Sequence, residues 1–232
     1  MADHKVLIVQ HIWAHYRARL AEAFLSDDRV SYTLYGDTSV TDVAGVEAVE
    51  MPPGSIVHMA CRKLPGVFYW QSGLLRLVWD GRFGCLVLPG DWRYLSTWLA
   101  LVLGRARRRR VLLWTHGWVR RESGVRLRVR RAFYSLASDL LFYGHSAKSF
   151  AVEVGMSSSK ITVVNNSITT AEEIRKQVDS TVKTVAGRRD SKLRLLFVGR
   201  ILESVRLDLV LLAMKVLTMR GLEVELVALD PK

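Results

Sequence analysis

Short, unbroken apolar runs recur along most of this chain, each followed by a stretch with helical spacing, and this alternation restricts the fold more than any other feature. The runs are Lys5–Gln10 (KVLIVQ), Val30–Tyr35, Cys85–Leu88 (CLVL), Val111–Trp114 (VLLW), Asp139–Tyr143 (DLLFY) and Ile161–Val164 (ITVV). A strand that is apolar at consecutive positions is buried on both faces, as in parallel sheets. Between the runs, helices are predicted over Tyr16–Leu25, Tyr69–Trp79, Trp92–Leu103, Gly124–Ala137 with Ser123 as N-cap, and Ser146–Val154 ended by Gly155. Glu47–His58 holds only weak strand signals, broken by Pro52-Pro53-Gly54. The pattern predicts an α/β fold: a doubly wound, Rossmann-like parallel sheet wrapped by helices. Such sheets bind ligands outside the carboxyl ends of their strands. His11, His15, Asp91, His116, His145 and Asn166 leave the strands there.

After Ser167 the texture changes. The reading divides the chain into a first domain over 1–168, a polar linker over 169–190 with a short helix near Ala171–Val178, and a second unit over 191–232. That last unit reads as strand Leu193–Val198, helix Leu207–Met219 and strand Leu222–Val227. One βαβ unit cannot bury its own faces, so it is expected to be the start of an incomplete second Rossmann-like domain.

Composition narrows the function classes. A hydrophobic fraction of 50% in 232 residues excludes a disordered chain. No apolar run reaches the roughly 18–20 residues of a membrane span. The N-terminus leads straight into a strand, without a signal-peptide pattern, so a cytoplasmic location is expected. Two cysteines make neither a disulfide framework nor a metal site.

The net charge is +12, and the segment Arg105–Arg131 holds most of it, with eleven arginines against one acid, Glu122. Arg107, Arg108, Arg109, Arg110, Arg120 and Arg121, interleaved with apolar residues and flanked by Trp92 and Trp98, are expected to form an anion-binding face toward an anionic membrane surface, peripherally on the cytoplasmic side. The bland alternative is a solvated basic surface. No helix-turn-helix, zinc-finger, RNP or KH signature supports nucleic acid as the partner.

Several segments resemble group 1 (family 4) glycosyltransferases. Leu195-Leu196-Phe197-Val198-Gly199-Arg200, followed by Leu207-Asp208-Leu209-Val210-Leu211, is similar to the opening of that family's C-terminal domain. Ser138–Lys148 resembles its strand-then-helix element, and Gly155–Ile168 the strand before its interdomain crossing. Val9-Gln10-His11 through His15-Tyr16-Arg17 is similar to members acting on cell-surface polysaccharides. The resemblance implies a GT-B fold. It also implies transfer of a sugar from a nucleotide-sugar donor to a saccharide or lipid-linked acceptor in cell-envelope polysaccharide biosynthesis, with retention and with no metal or other cofactor.

By the same resemblance His116 is catalytic, Arg200 and Arg206 hold donor phosphates, His11, His15 and Asp91 contact the acceptor, and Asn166 lies at the hinge. Three positions depart from the family. Val205 stands where it has a lysine, with Arg206 next door; Asn166-Ser167 replaces Asn-Gly; and its Glu-x7-Glu element is absent, so the donor site is expected to be incomplete. Each residue also has a plainer reading: a hydrogen-bonded loop histidine for His116, an ordinary turn for Pro89-Gly90-Asp91, an exposed structural arginine for Arg200. A non-catalytic module that binds an acceptor or an anionic membrane is the alternative function.

Overall fold

The computed structural model describes residues 5–40, 42, 43, 46–165, 175, 178, 192–199, 201 and 203–229. The chain divides into two compact units, Met1–Thr170 and Ala171–Lys232.

The first unit is built on seven parallel strands. In chain order the strands are β1 (Lys5–Val9), β2 (Ser31–Gly36), β3 (Asp42–Val43), β4 (Val46–Glu47), β5 (Ile56–His58), β6 (Cys61–Lys63), β7 (Tyr69–Gln71), β8 (Cys85–Pro89), β9 (Arg110–Thr115), β10 (Asp139–Phe142) and β11 (Ile161–Val163). The main sheet runs β11-β10-β9-β8-β1-β2-β5, while β3 with β4 and β6 with β7 form two small antiparallel pairs. Leu7 of β1 is in register with Leu86 on one side and Thr33 on the other.

Side chains alternate across this sheet as its pleat requires. Leu7, Val9, Leu86, Leu88, Val111, Leu113, Leu140 and Phe142 feed one core. Ile8, Leu34, Val87 and Trp114 feed the other. The first core packs against α2 (Leu74–Asp80), α3 (Leu95–Ala106), α4 (Gly124–Leu136) and α5 (His145–Glu153); the second packs against α1 (Ala18–Leu25). In α3 the buried residues Thr97, Ala100, Leu101 and Gly104 fall at i, i+3, i+4 and i+7, one face of a helix.

Helices α1, α2 and α3 start later than the sequence suggests, α2 by the most. Tyr69–Gln71 belongs to a strand paired with Cys61–Lys63, and α2 begins only at Leu74. Gly73 holds φ at +88°, which ends the strand and starts the helix, and the Gln71 backbone N–H donates to Ser96 Oγ at 3.0 Å. Ser123 occupies the N-cap position of α4, but its side chain caps no backbone amide.

The described residues of the second unit form β12 (Leu193–Val198), α6 (Leu207–Met219) and β13 (Val224–Leu229), with β12 and β13 parallel from Leu193↔Val224 to Val198↔Leu229. No residue of α6 is buried. Arg200 and Asn166, and the helix expected near Ala171–Val178 apart from residues 175 and 178, lie outside the described residues. Among the described residues no helix is long and apolar enough to cross a membrane.

Candidate functional site

The strand order places the site. From β1 the chain builds outward through β2 to β5, then returns to the other side of β1 and builds through β8, β9, β10 and β11. The direction therefore reverses between β1 and β8, and the loops leaving these two strands diverge. Such a switch point is where doubly wound sheets open a crevice. A cleft of about 270 Å³ opens there, lined among others by Gln10, His11, Arg17, Asp91, His116 and Tyr143.

Gly90 lets β8 and β9 come close at its floor. A Cβ on Gly90 would stand 2.5 Å from Thr115 Cβ, so no side chain fits. The Gly90 amide donates to the Trp114 carbonyl at 3.0 Å, which ties the β8 turn to the end of β9.

His116 follows β9 directly. Its ring meets Tyr143 edge-on, with centroids 4.4 Å apart. Much of its surface is accessible, yet desolvation against this wall, and then the Arg17 charge, lower its pKa below the ordinary histidine value. The shift favours the neutral imidazole, and among the described residues neither ring nitrogen has a hydrogen-bond partner. A neutral imidazole offers one donor and one acceptor to a bound group.

His11 sits on the other side of the cleft. Its Nδ1 shares a 2.8 Å hydrogen bond with the Tyr94 hydroxyl. Tyr69 and Tyr94 stack with centroids 5.2 Å apart, and His11 meets both edge-on. Burial lowers the His11 pKa, opposed by the Asp37 charge. Burial also raises the Tyr94 phenol, so it stays protonated.

The other predicted site residues divide. Asp91 lines the cleft, but both of its oxygens are engaged by Arg93. His15 is exposed and is not among the lining residues; its Nδ1 lies 3.3 Å from the Glu47 carbonyl and its ring meets Tyr16 edge-on. Arg206 has a left-handed backbone at the N-cap of α6 and is paired with Asp208, Nη2 to Oδ2 at 2.9 Å.

The arginine-rich segment does not form one continuous face. Strand β9 separates Arg107, Arg108 and Arg109, and Arg110 at its first residue, from Arg120 and Arg121, which follow in the loop to α4. Arg110 pairs with Asp139 and Arg121 with Glu153, while Glu122 takes Arg126 and Arg130. Arg107 stacks over Trp79 at 4.3 Å. Contiguity in sequence is broken by a buried strand.

One functional candidate escaped the sequence reading. Arg17 is 8% exposed, and its guanidinium lies 4.9 Å from the Trp114 ring. A larger cavity of about 560 Å³ lies against Trp13, Asp37 and Glu47. Its buried carboxylate, Asp37, is satisfied by the Cys61 amide at 2.7 Å and by Ser39. Among the described residues no three His, Cys, Asp or Glu side chains come together to hold a metal ion.

No family model matches this sequence, and no curated protein matches it. Solved structures do resemble the fold. UDP-GlcNAc 2-epimerase from Neisseria meningitidis, bound to UDP-GlcNAc, aligns with a TM-score of 0.50 at 13% identity, over 98% of this chain and 72% of that one. Anabaena Alr3699/HepE, in complex with UDP, aligns with a TM-score of 0.52 at 12% identity, over 98% and 69%. UDP-GlcNAc 2-epimerase from Methanocaldococcus jannaschii aligns with a TM-score of 0.50 at 12% identity, over 96% and 65%. At such identities the likeness is one of fold, and this chain has the GT-B-like, Rossmann-type α/β architecture.

Proposed function

We propose that this chain belongs to a nucleotide-sugar-dependent enzyme. Its finer assignment is a family 4 glycosyltransferase, moving a sugar with retention onto a saccharide or lipid-linked acceptor of the cell envelope. The observation that carries this reading is the position of His116 at the carboxyl end of β9, in the cleft at the switch point, with no hydrogen-bond partner among the described residues. Support for a nucleotide sugar comes from the fold neighbours, which are bound to UDP-GlcNAc and to UDP.

In this reading His116 hydrogen-bonds a hydroxyl of the transferred sugar, and the Tyr69–Tyr94 pair offers an aromatic wall for a saccharide ring. His11 and Asp91 contact the acceptor. His15, turned toward Glu47, takes no part. Donor phosphates fall to Arg200 and Arg206, whose positive charge favours the departing nucleoside diphosphate. The Arg206 guanidinium must then be shared with Asp208 or leave it. Asn166 belongs to the hinge. No metal or other cofactor takes part in the proposed reaction.

Calorimetric titration with UDP, UDP-GlcNAc, UDP-glucose and GDP-mannose tests this. At least one nucleotide sugar should bind, and H116Q should weaken the sugar-bearing ligand by about tenfold while leaving the bare nucleotide unchanged, the loss of one hydrogen bond to the sugar. Failure of the whole set to bind would overturn the proposal.

A second reading, a module that docks on an anionic membrane at the cytoplasmic face, is favoured by Trp79, which is 57% exposed and carries Arg107 on its ring. Co-sedimentation with phosphatidylcholine vesicles, with and without phosphatidylglycerol, across a salt series tests it. Binding that ignores lipid charge would reject it.

A further inference from the structure

The roles proposed above leave Arg17 without one. Its guanidinium lies between three aromatic rings, 4.9 Å from Trp114, 5.6 Å from Tyr143 and 5.7 Å from Tyr16. Nη2 donates to the Tyr143 hydroxyl. Nε is buried without an acceptor, and no carboxylate pairs with this side chain among the described residues. Arginine cannot shed its proton to escape burial, so the charge remains. Aromatic faces offset only part of the desolvation of an unpaired cation.

The same cleft holds two further unmet donors. Gln10 Nε2 and Trp114 Nε1 are buried without partners among the described residues, and both residues line it. No acceptor on the cleft wall is among the buried polar atoms that lack a partner. Asp91, the one acid among the described lining residues, is committed to Arg93. The cleft thus lacks one kind of group: an acceptor-only, negatively charged one. A planar guanidinium suits the oxygens of phosphate or carboxylate better than any other common side chain does.

We propose that Arg17 anchors an oxyanion, the phosphate or carboxylate of a substrate, within the cleft beside Trp114, Tyr143 and His116. The proposal rests on the proposed function only for which molecule carries the group. An acceptor saccharide bearing a phosphate or carboxylate is one source, and the donor's pyrophosphate is the other.

The His116 ring signals, assigned with H116Q, report on the site by NMR. The ligands are inorganic phosphate, pyrophosphate, glucuronate and neutral glucose, each at constant ionic strength. Phosphate or glucuronate should move the His116 signals further than glucose does at equal concentration. R17Q should weaken the anion by about tenfold or more, with R17K keeping part of the affinity. An anion that binds R17Q as well as the unmodified protein, or glucose as effective as glucuronate, overturns the proposal. Should R17Q fail to fold by circular dichroism, the comparison of charged with neutral ligand on the unmodified protein decides. Preference for pyrophosphate over glucuronate assigns the oxyanion to the donor, and the reverse assigns it to the acceptor. A protein that binds a nucleotide sugar but shows no anion effect at His116 loses the Arg17 site and keeps the proposed function. One that binds the anion but no nucleotide or nucleotide sugar loses the function and keeps the site.

Discussion

β1 and α6 are both rich in Leu and Val, yet only β1 buries them. In the first unit β1 has β8 and β2 on its edges and helices on both faces, so Leu7, Ile8 and Val9 are all buried. Among the described residues of the second unit are one helix and two strands, and Leu209, Leu211, Leu212 and Met219 remain exposed. Equal hydrophobicity buys different stability because burial needs layers, and a βαβ unit supplies too few. The candidate site follows the same division. The lining residues named for the cleft belong to the layered unit, where His11 follows β1, His116 follows β9 and Arg17 leads into α1, whereas Arg206 stands exposed in the other.

Four changes would break or sharpen this contrast. The largest effect is expected at Leu113, fully buried in β9: L113A should cost about 2–5 kcal/mol in urea unfolding, through lost transfer energy and the cavity left behind. A loss below about 1 kcal/mol would show that the core collapses around the change. Next is G90A, whose Cβ overlaps Thr115; it should cost about 1–3 kcal/mol and disturb the His116 signals, and a neutral outcome would mean that β8 and β9 separate freely.

Third is acid. Burial lowers the pKa of both His11 and His116 in the folded chain. Their contribution to stability is therefore complete above the unfolded value near 6.5 and is lost as pH falls through the lowered folded values. Thermal melts should drop across that window, and H11Q with H116Q should flatten the drop. An unchanged profile would place the titration elsewhere. The smallest effect is expected at Leu212, where L212A should change the midpoint by the equivalent of under about 0.5 kcal/mol. A larger loss would show that α6 is packed in solution, and the contrast would fail.

Much of the fold was legible in the sequence because parallel strands buried on both faces leave continuous apolar runs such as VLLW and DLLFY. Tyr69–Gln71 was not, since its aromatic-rich stretch suits a short strand or a helix start equally, and Gly73 with Ser96 decides between them. His116 and Asp91 could be placed from the strand-end rule alone. His11 and His15 could not be told apart, because which of two loop histidines turns inward depends on Tyr94 and Glu47, distant along the chain. Arg17 left no signal of burial, because the rings that enclose it include Trp114 and Tyr143, far along the chain. The arginine run misled for a related reason: a sequence shows charge density but not the buried strand that divides it.

The central claim is that the cleft at the reversal between β1 and β8 is where the sugar of the substrate sits. Backbone and ring NMR during titration with UDP-GlcNAc tests it directly. Perturbations are predicted to gather on Gln10, His11, Asp91, Thr115, His116 and Tyr143. Perturbations gathered instead on Trp13, Asp37, Thr38 and Glu47 would place binding in the neighbouring cavity and contradict the account.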